Sequence, residues 1–205
     1  MSILTSAAKQ KQKDVYVKIW DTQEKVYTDQ TGQLPWQSYK GNQYVMVLVE
    51  VDANYTDAEP MKNRTEQEMI RAYQALLERI KSMRAYDPNK HIMDNEASTE
   101  FKKVIKKQSK LQMVPPDSHR RNIAERAIQT FKNHFVAILL GVDAKFPMQL
   151  WCKLLPQSIL TLNLMRQSNV APKVSAYAYM HGEFSYNDMP LAPLGCAVQL
   201  YETPH

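Results

Sequence analysis

Apolar residues along this chain recur at two spacings, and the switch from one to the other marks out the elements. "NQYVMVLVEVD" (42–52) is a Val-rich strand pattern bounded by Gly41 and Asn54. A shorter run, "EKVYTD" (24–29), precedes it across the turn-rich "QTGQLP", and "YTDAEPM" (55–61) follows as an antiparallel strand across the "DAN" turn. In "TEQEMIRAYQALLERIKSM" (65–83) the period becomes helical: Met69, Tyr73, Leu76, Leu77 and Ile80 share one face, and Thr65 and Glu68 have capping-box spacing. "KHIMD" (90–94) reads as the next strand, "STEFKKVIKKQSK" (98–110) as a short helix with Phe101, Val104 and Ile105 inward, and "LQMV" (111–114) as a strand stopped by Pro115 and Pro116. A long helix is predicted from about 119 to 140, with Ala124, Ile128, Phe131, Phe135 and Ile138 as its buried stripe, and 147–165 is predicted to be helix interrupted near Pro156.

Three strands, helix, strand, helix, strand and long helix imply a mixed sheet flanked by helices, in which strands joined through helices run parallel. Residues 1–22 form a Lys- and Gln-rich lead-in, expected to be flexible. After about residue 182 the chain becomes rich in Pro and ends in one strand-like run, "CAVQLYE". A lone strand has nothing of its own to pair with, so 183–205 reads as a linker and the start of a further module.

Composition narrows the possibilities further. The 205 residues are 44% hydrophobic and 23% charged, as in a globular protein long enough for a sizeable core. Lys and Arg number 26 against 21 Asp and Glu; the net charge of +5 permits a polyanionic partner without requiring one. Cys152 and Cys196 are isolated, with no Cys-x-x-Cys or paired His, which argues against zinc and against a disulfide framework. "FVAILLGV" (135–142) is too short to span a bilayer, so no membrane partner is expected. With five glycines in all and no phosphate-cradling loop, nucleotide-binding enzymes have little support.

Candidate chemistry lies in the carboxylates at element ends. Asp29 ends the first strand, Asp94 ends the fourth, and Glu125 stands one turn inside the long helix. Hard cations take oxygen ligands, and a few converging carboxylates suit Mg²⁺. Each residue also has an ordinary reading: "DQTG" as a turn, Asp94 as the cap of the next helix, Glu125 as a capping-box partner of Asn122. For Asp52, in a turn between paired strands, and for Glu96, which would have to point back over the sheet edge, a structural role is expected.

"DQTG" before a Val-rich strand, then "HIMDNEAS", then "PPDSHRRNIAERAIQTFKNH", resembles the catalytic core of a retroviral or retrotransposon integrase, with the copia-type retroelements the nearest variety. The resemblance continues through "FPMQLWCKLLPQSILTLNLMR" (146–166) and "SAYAYMHG" (175–182), in the family's order. It implies an α/β, RNase H-like fold with a mixed five-stranded sheet flanked by helices, and a catalytic core over 23–182. It further implies Asp29, Asp94 and Glu125 as a catalytic and metal-binding triad for Mg²⁺, with Mn²⁺ as substitute. The activity implied is polynucleotidyl transfer on DNA: end processing followed by strand transfer, carried out by a homo-oligomer assembled on DNA. The spacing from Asp94 to Glu125 is a few residues shorter than the family's, and the zinc-binding module usual before such a core is not found in the sequence.

His119, Arg120 and Arg121, with Asn122 and Lys132, line the approach to Glu125 and are the expected DNA contacts. Lys102, Lys103, Lys106 and Lys107 repel one another at i,i+4 spacing, which phosphate binding would offset; a solvated helix face is the other reading. A chromosomal DNA substrate would place the protein in the nucleus; no targeting signal is found, and the cytoplasm is the default. Two other functions stay open: a catalytically silent DNA-binding or assembly fragment of a retroelement, and an RNase H-type nuclease.

Overall fold

The five strands expected of the core all form among residues 24–84, 88–93, 98–113 and 121–199, which the computed structural model describes. They are β1 (Lys25–Gln30), β2 (Tyr44–Glu50), β3 (Tyr55–Met61), β4 (Lys90–Met93) and β5 (Lys110–Met113). The helices are α1 (Glu66–Arg84), α2 (Thr99–Gln108), α3 (Arg121–Gly141), α4 (Trp151–Met165) and α5 (Ala176–His181). The strand order is β3-β2-β1-β4-β5. β1, β2 and β3 form an antiparallel meander, while β4 and β5 run parallel to β1 because a helix precedes each of them. This is the mixed five-stranded sheet, flanked by helices, of the RNase H-like fold.

Each face of the sheet is covered by its own set of helices. On one, Val26, Met46 and Leu48 pack with Tyr73, Leu76, Leu77 and Ile80 of α1, Phe101 and Ile105 of α2, and Ala176 and Met180 of α5. On the other, Val45, Val47 and Val49 pack with Ala127, Ile128, Phe131 and Phe135 of α3 and with Trp151, Leu154, Leu155 and Leu162 of α4. β2 is buried along nearly its whole length, which is why its sequence reads as a continuous apolar run. Full burial of one such side chain stabilises the fold by roughly 1.5–3 kcal/mol.

Four local expectations are corrected. The capping box at Thr65 does not form: the Thr65 N–H donates to Asn63 Oδ1, and Glu68 accepts from the Lys62 N–H and from Arg71. A side chain two residues back offers Thr65 N–H a nearer acceptor than Glu68 does. Pro156 does not interrupt α4, which runs unbroken through it. Its ring stands on the exposed side, while Trp151, Leu154, Leu155, Ser158 and Ile159 hold the flanking turns to the core. The strand-like run after Gly195 is irregular through residue 199, having no neighbouring strand to pair with, and its remainder lies outside the described residues. Nor is the segment after residue 182 simply detached: Leu194 packs beside Val142 and Phe146, and the Asp143 N–H donates to the Gly195 carbonyl at 3.1 Å. The lead-in over 1–22 lies outside the described residues.

Candidate metal and nucleic-acid site

β1 occupies the middle of the sheet and alternates between the two faces. Val26 belongs to the α1 side, and Thr28 shares a hydrogen bond of 2.8 Å with buried His91. Tyr27 and Asp29 belong to the α3 side, because their cross-strand partners Val49 and Val47 pack on α3. Asp29 is therefore a strand residue paired with Val47, and the turn reading of "DQTG" is wrong; the ladder even continues one step, with Thr31 N–H donating to the Val45 carbonyl at 2.8 Å. Asp29 is exposed although its strand is central.

The partners of the carboxylates separate Asp29 from its neighbours in the sheet. Asp57 and Glu59 of β3 both hold Arg79, at 2.9 and 2.8 Å. Glu50 accepts the N–H groups of Asp52 and Ala53, and Asp52 accepts the Glu24 N–H at 2.9 Å, the structural role expected of it. Among the described residues, Asp29 has no hydrogen-bond or ion-pair partner, and neither does Glu125. Burial holds the Asp57 carboxyl above the usual carboxylate range, against the opposing pull of the Arg79 guanidinium.

β4 lies beside β1 in parallel, with Val26 opposite His91 and Tyr27 opposite Ile92. One step on, Met93 comes level with Thr28, so the C-terminal end of β4 is delivered next to Asp29. Asp94, the residue after Met93, lies outside the described residues, as does Glu96. The cap of the following helix is Ser98, whose Oγ accepts from the Phe101 N–H, so Asp94 is not needed for that role. Glu125 is exposed on α3, just before Ala127 and Ile128, which anchor that helix to the sheet face carrying Asp29. α3 begins at Arg121, so Asn122 is already inside the helix and a capping box with Glu125 is not its function. Among the described residues no three His, Cys, Asp or Glu side chains form a metal-sized group.

Of the expected DNA contacts, Lys132 is half-buried on α3, and Arg121 and Asn122 contribute only their backbone to the described residues. His119 and Arg120 lie outside them. On α2, Lys103 pairs with Glu100 at 2.5 Å, while Lys106 and Lys107 stand exposed. The sequence reading did not single out Arg126 and Thr130. They lie on the flank of α3 opposite to Glu125 and line a cavity of about 230 Å³ with Tyr27, Val49, Arg166 and Asn169. The place of Arg126 beside Glu125 was the one signal available; its convergence with Arg166 depends on the fold.

No family model matches the sequence, and no curated protein matches it. Solved structures do match. The catalytic core domain of BIV integrase superposes with a TM-score of 0.55 and 15% identity, over 77% of this chain and 93% of that one. The HTLV-2 integrase catalytic core domain, solved in complex with magnesium in a trimeric form, gives 0.57 and 18%, over 80% of this chain and all (100%) of that one. A simian T-cell lymphotropic virus intasome, solved with the PP2A regulatory subunit B56 gamma, gives 0.60 and 15%, over 91% of this chain and 63% of that one. Identities this low establish a shared fold.

Proposed function

We propose that this chain is the catalytic core of a retroelement integrase, of copia type, which joins DNA ends to a target by metal-dependent polynucleotidyl transfer. The observation that carries the proposal is the unpartnered carboxylate of Asp29 on the central strand, on the face to which α3 brings Glu125 and beside the end of the strand that leads into Asp94. A bare acidic edge is a cost to a fold unless a cation uses it, and two open carboxylates with a third following β4 are the oxygen donors that Mg²⁺ prefers. Asp29, Asp94 and Glu125 would hold the metal, with Mn²⁺ as substitute. The bound metal would stabilise the charge that develops on the attacking and leaving oxygens of an in-line displacement at phosphorus.

The chain's own residues supply the rest. β1 and β4, pinned by their parallel pairing and by the Thr28–His91 hydrogen bond, fix two carboxylates relative to each other. α3 fixes the third by seating Ala127, Ile128 and Phe131 in the core. His119, Arg120, Arg121, Asn122 and Lys132 would grip phosphates along the approach and position the strand without reading its sequence. The partner is then DNA, bound by a homo-oligomer, and its work on chromosomal DNA belongs in the nucleus.

A branched DNA substrate that bypasses end processing tests the reading. With Mg²⁺ or Mn²⁺ the wild-type protein should rejoin strands, while Asp29→Asn and Asp94→Asn should each lose about 10²–10³-fold in rate, the size of effect seen when one preorganised electrostatic group is removed. Both variants should keep DNA affinity. A folded, DNA-bound wild type that is inert with either metal would leave the silent-fragment reading in its place.

A further inference from the structure

The cavity on the other flank of α3 has a composition of its own. Arg126 and Arg166 both line it, together with Thr130, Asn54 and Asn169, and no carboxylate does. Arg166 follows the end of α4 and is half-buried. Its guanidinium bonds to the Thr56 hydroxyl at 3.3 Å and to Asn54 Oδ1, both neutral acceptors. Burial holds it below the ordinary arginine value with no carboxylate to offset that cost. Elsewhere in the molecule the arrangement is the opposite: Arg71 and Arg79, more exposed, are each paired with two acidic side chains. A half-buried arginine with neutral partners, facing a second arginine across a polar cavity, is an electrostatic arrangement completed by an anion.

We propose that this cavity is a binding site for a single phosphate group, held between the guanidinium groups of Arg126 and Arg166 with Thr130 as a hydroxyl donor. At about 230 Å³ it lies below the roughly 300–1,000 Å³ of pockets that enclose whole small-molecule ligands, so it takes one tetrahedral anion and water, not a nucleotide. Guanidinium groups match phosphate oxygens in pairs, which favours phosphate over chloride or a lone carboxylate. The phosphate comes either from a DNA strand crossing α3 or from inorganic phosphate in solution. The site does not depend on the catalytic reading, since it uses neither Asp29 nor Glu125.

Titration with inorganic phosphate at constant ionic strength, followed by NMR and by thermal unfolding, tests the site. In the wild-type protein the Arg166 side-chain and Thr130 amide resonances should shift saturably and the melting temperature should rise, with chloride producing neither effect. Thr130→Glu places a carboxylate in the cavity at an exposed helix position where folding is tolerant, and should abolish both responses; Arg126→Gln should weaken binding at least several-fold. An unchanged phosphate response in folded Thr130→Glu, or no response in the wild type up to high millimolar phosphate, overturns the proposal. A second arm identifies the source. Competition between phosphate and a single-stranded oligonucleotide, with oligonucleotide binding weakened by Thr130→Glu, assigns the phosphate to DNA. Oligonucleotide affinity unaffected by either, with the phosphate response intact, assigns it to the free ion.

Discussion

His91 sits in the middle of the sheet with its ring fully buried, 4.9 Å from the ring of Tyr73, and with Nε2 hydrogen-bonded to Thr28. Nδ1 is buried without a partner, and burial pushes the pKa down to about 3. The folded protein thus keeps His91 neutral at a pH where the unfolded chain, titrating near 6.5, takes up a proton. Stability is full above about pH 6.5 and falls by about 1.4 kcal/mol per pH unit between there and pH 3. Urea unfolding at pH 7 and pH 5 should show a loss of about 2 kcal/mol, and His91→Gln should reduce that slope while lowering stability at pH 7. None of this is legible in "KHIMD", where His91 looks like a polar residue at a strand start, because the Thr28 that accepts it lies far back in the chain. Asp29 was legible for the opposite reason: it closes a short apolar run, and its function asks only that nothing local satisfy it.

α4 shows what element-scale reading captures and what it loses. Its apolar content marked it as helix, yet the rule that Pro ends a helix gave a break at Pro156 that packing overrides. The periodicity could not show that Asn163 is buried and locks α4 to β3, accepting from the Thr56 N–H at 2.9 Å and donating to the Thr56 carbonyl at 2.7 Å. Asn163→Ala leaves two buried backbone groups unsatisfied and should cost about 2–5 kcal/mol by chemical denaturation, since each such group costs about 1–3. Pro156→Ala should act the other way. The exposed site gains an N–H that can reach the Cys152 carbonyl, and the variant should be more stable by about 1–3 kcal/mol. A lower stability would show that the turn around Pro156 is adapted to its ring. The strands were easier to read, because β1, β2 and β3 form a meander in sequence order and each carries its pattern within itself.

At the scale of the molecule, the acidic edge predicts how metal and fold are coupled. Mg²⁺ at ten times its dissociation constant should stabilise the wild type by about 1.4 kcal/mol, a rise of about 3–6 °C in melting temperature. Asp94→Asn should melt no lower than wild type without metal, since a repulsion is relieved, and should gain little with it; Asp52→Asn should keep the metal response. Equal rises in wild type and Asp94→Asn would remove Asp94 from the site. Gly195 sits at φ +70 with room for no side chain, since an added Cβ would lie 2.5 Å from Val142 Cγ1, so Gly195→Ala should free residues 183–199 to proteolysis while leaving the sheet intact. The order of the strands has a further consequence, in time. β2 and β3 close on each other across the four-residue turn 51–54, whereas β4 reaches its place beside β1 only after α1 has spanned the gap. Contacts distant in sequence are slow to form, so pulse-labelled hydrogen exchange should protect Val47 and Val49 well before Ile92. A chain emerging from synthesis therefore displays its basic stretches first and completes the acidic edge last, and for most of its folding it can hold nucleic acid without the means to cut it.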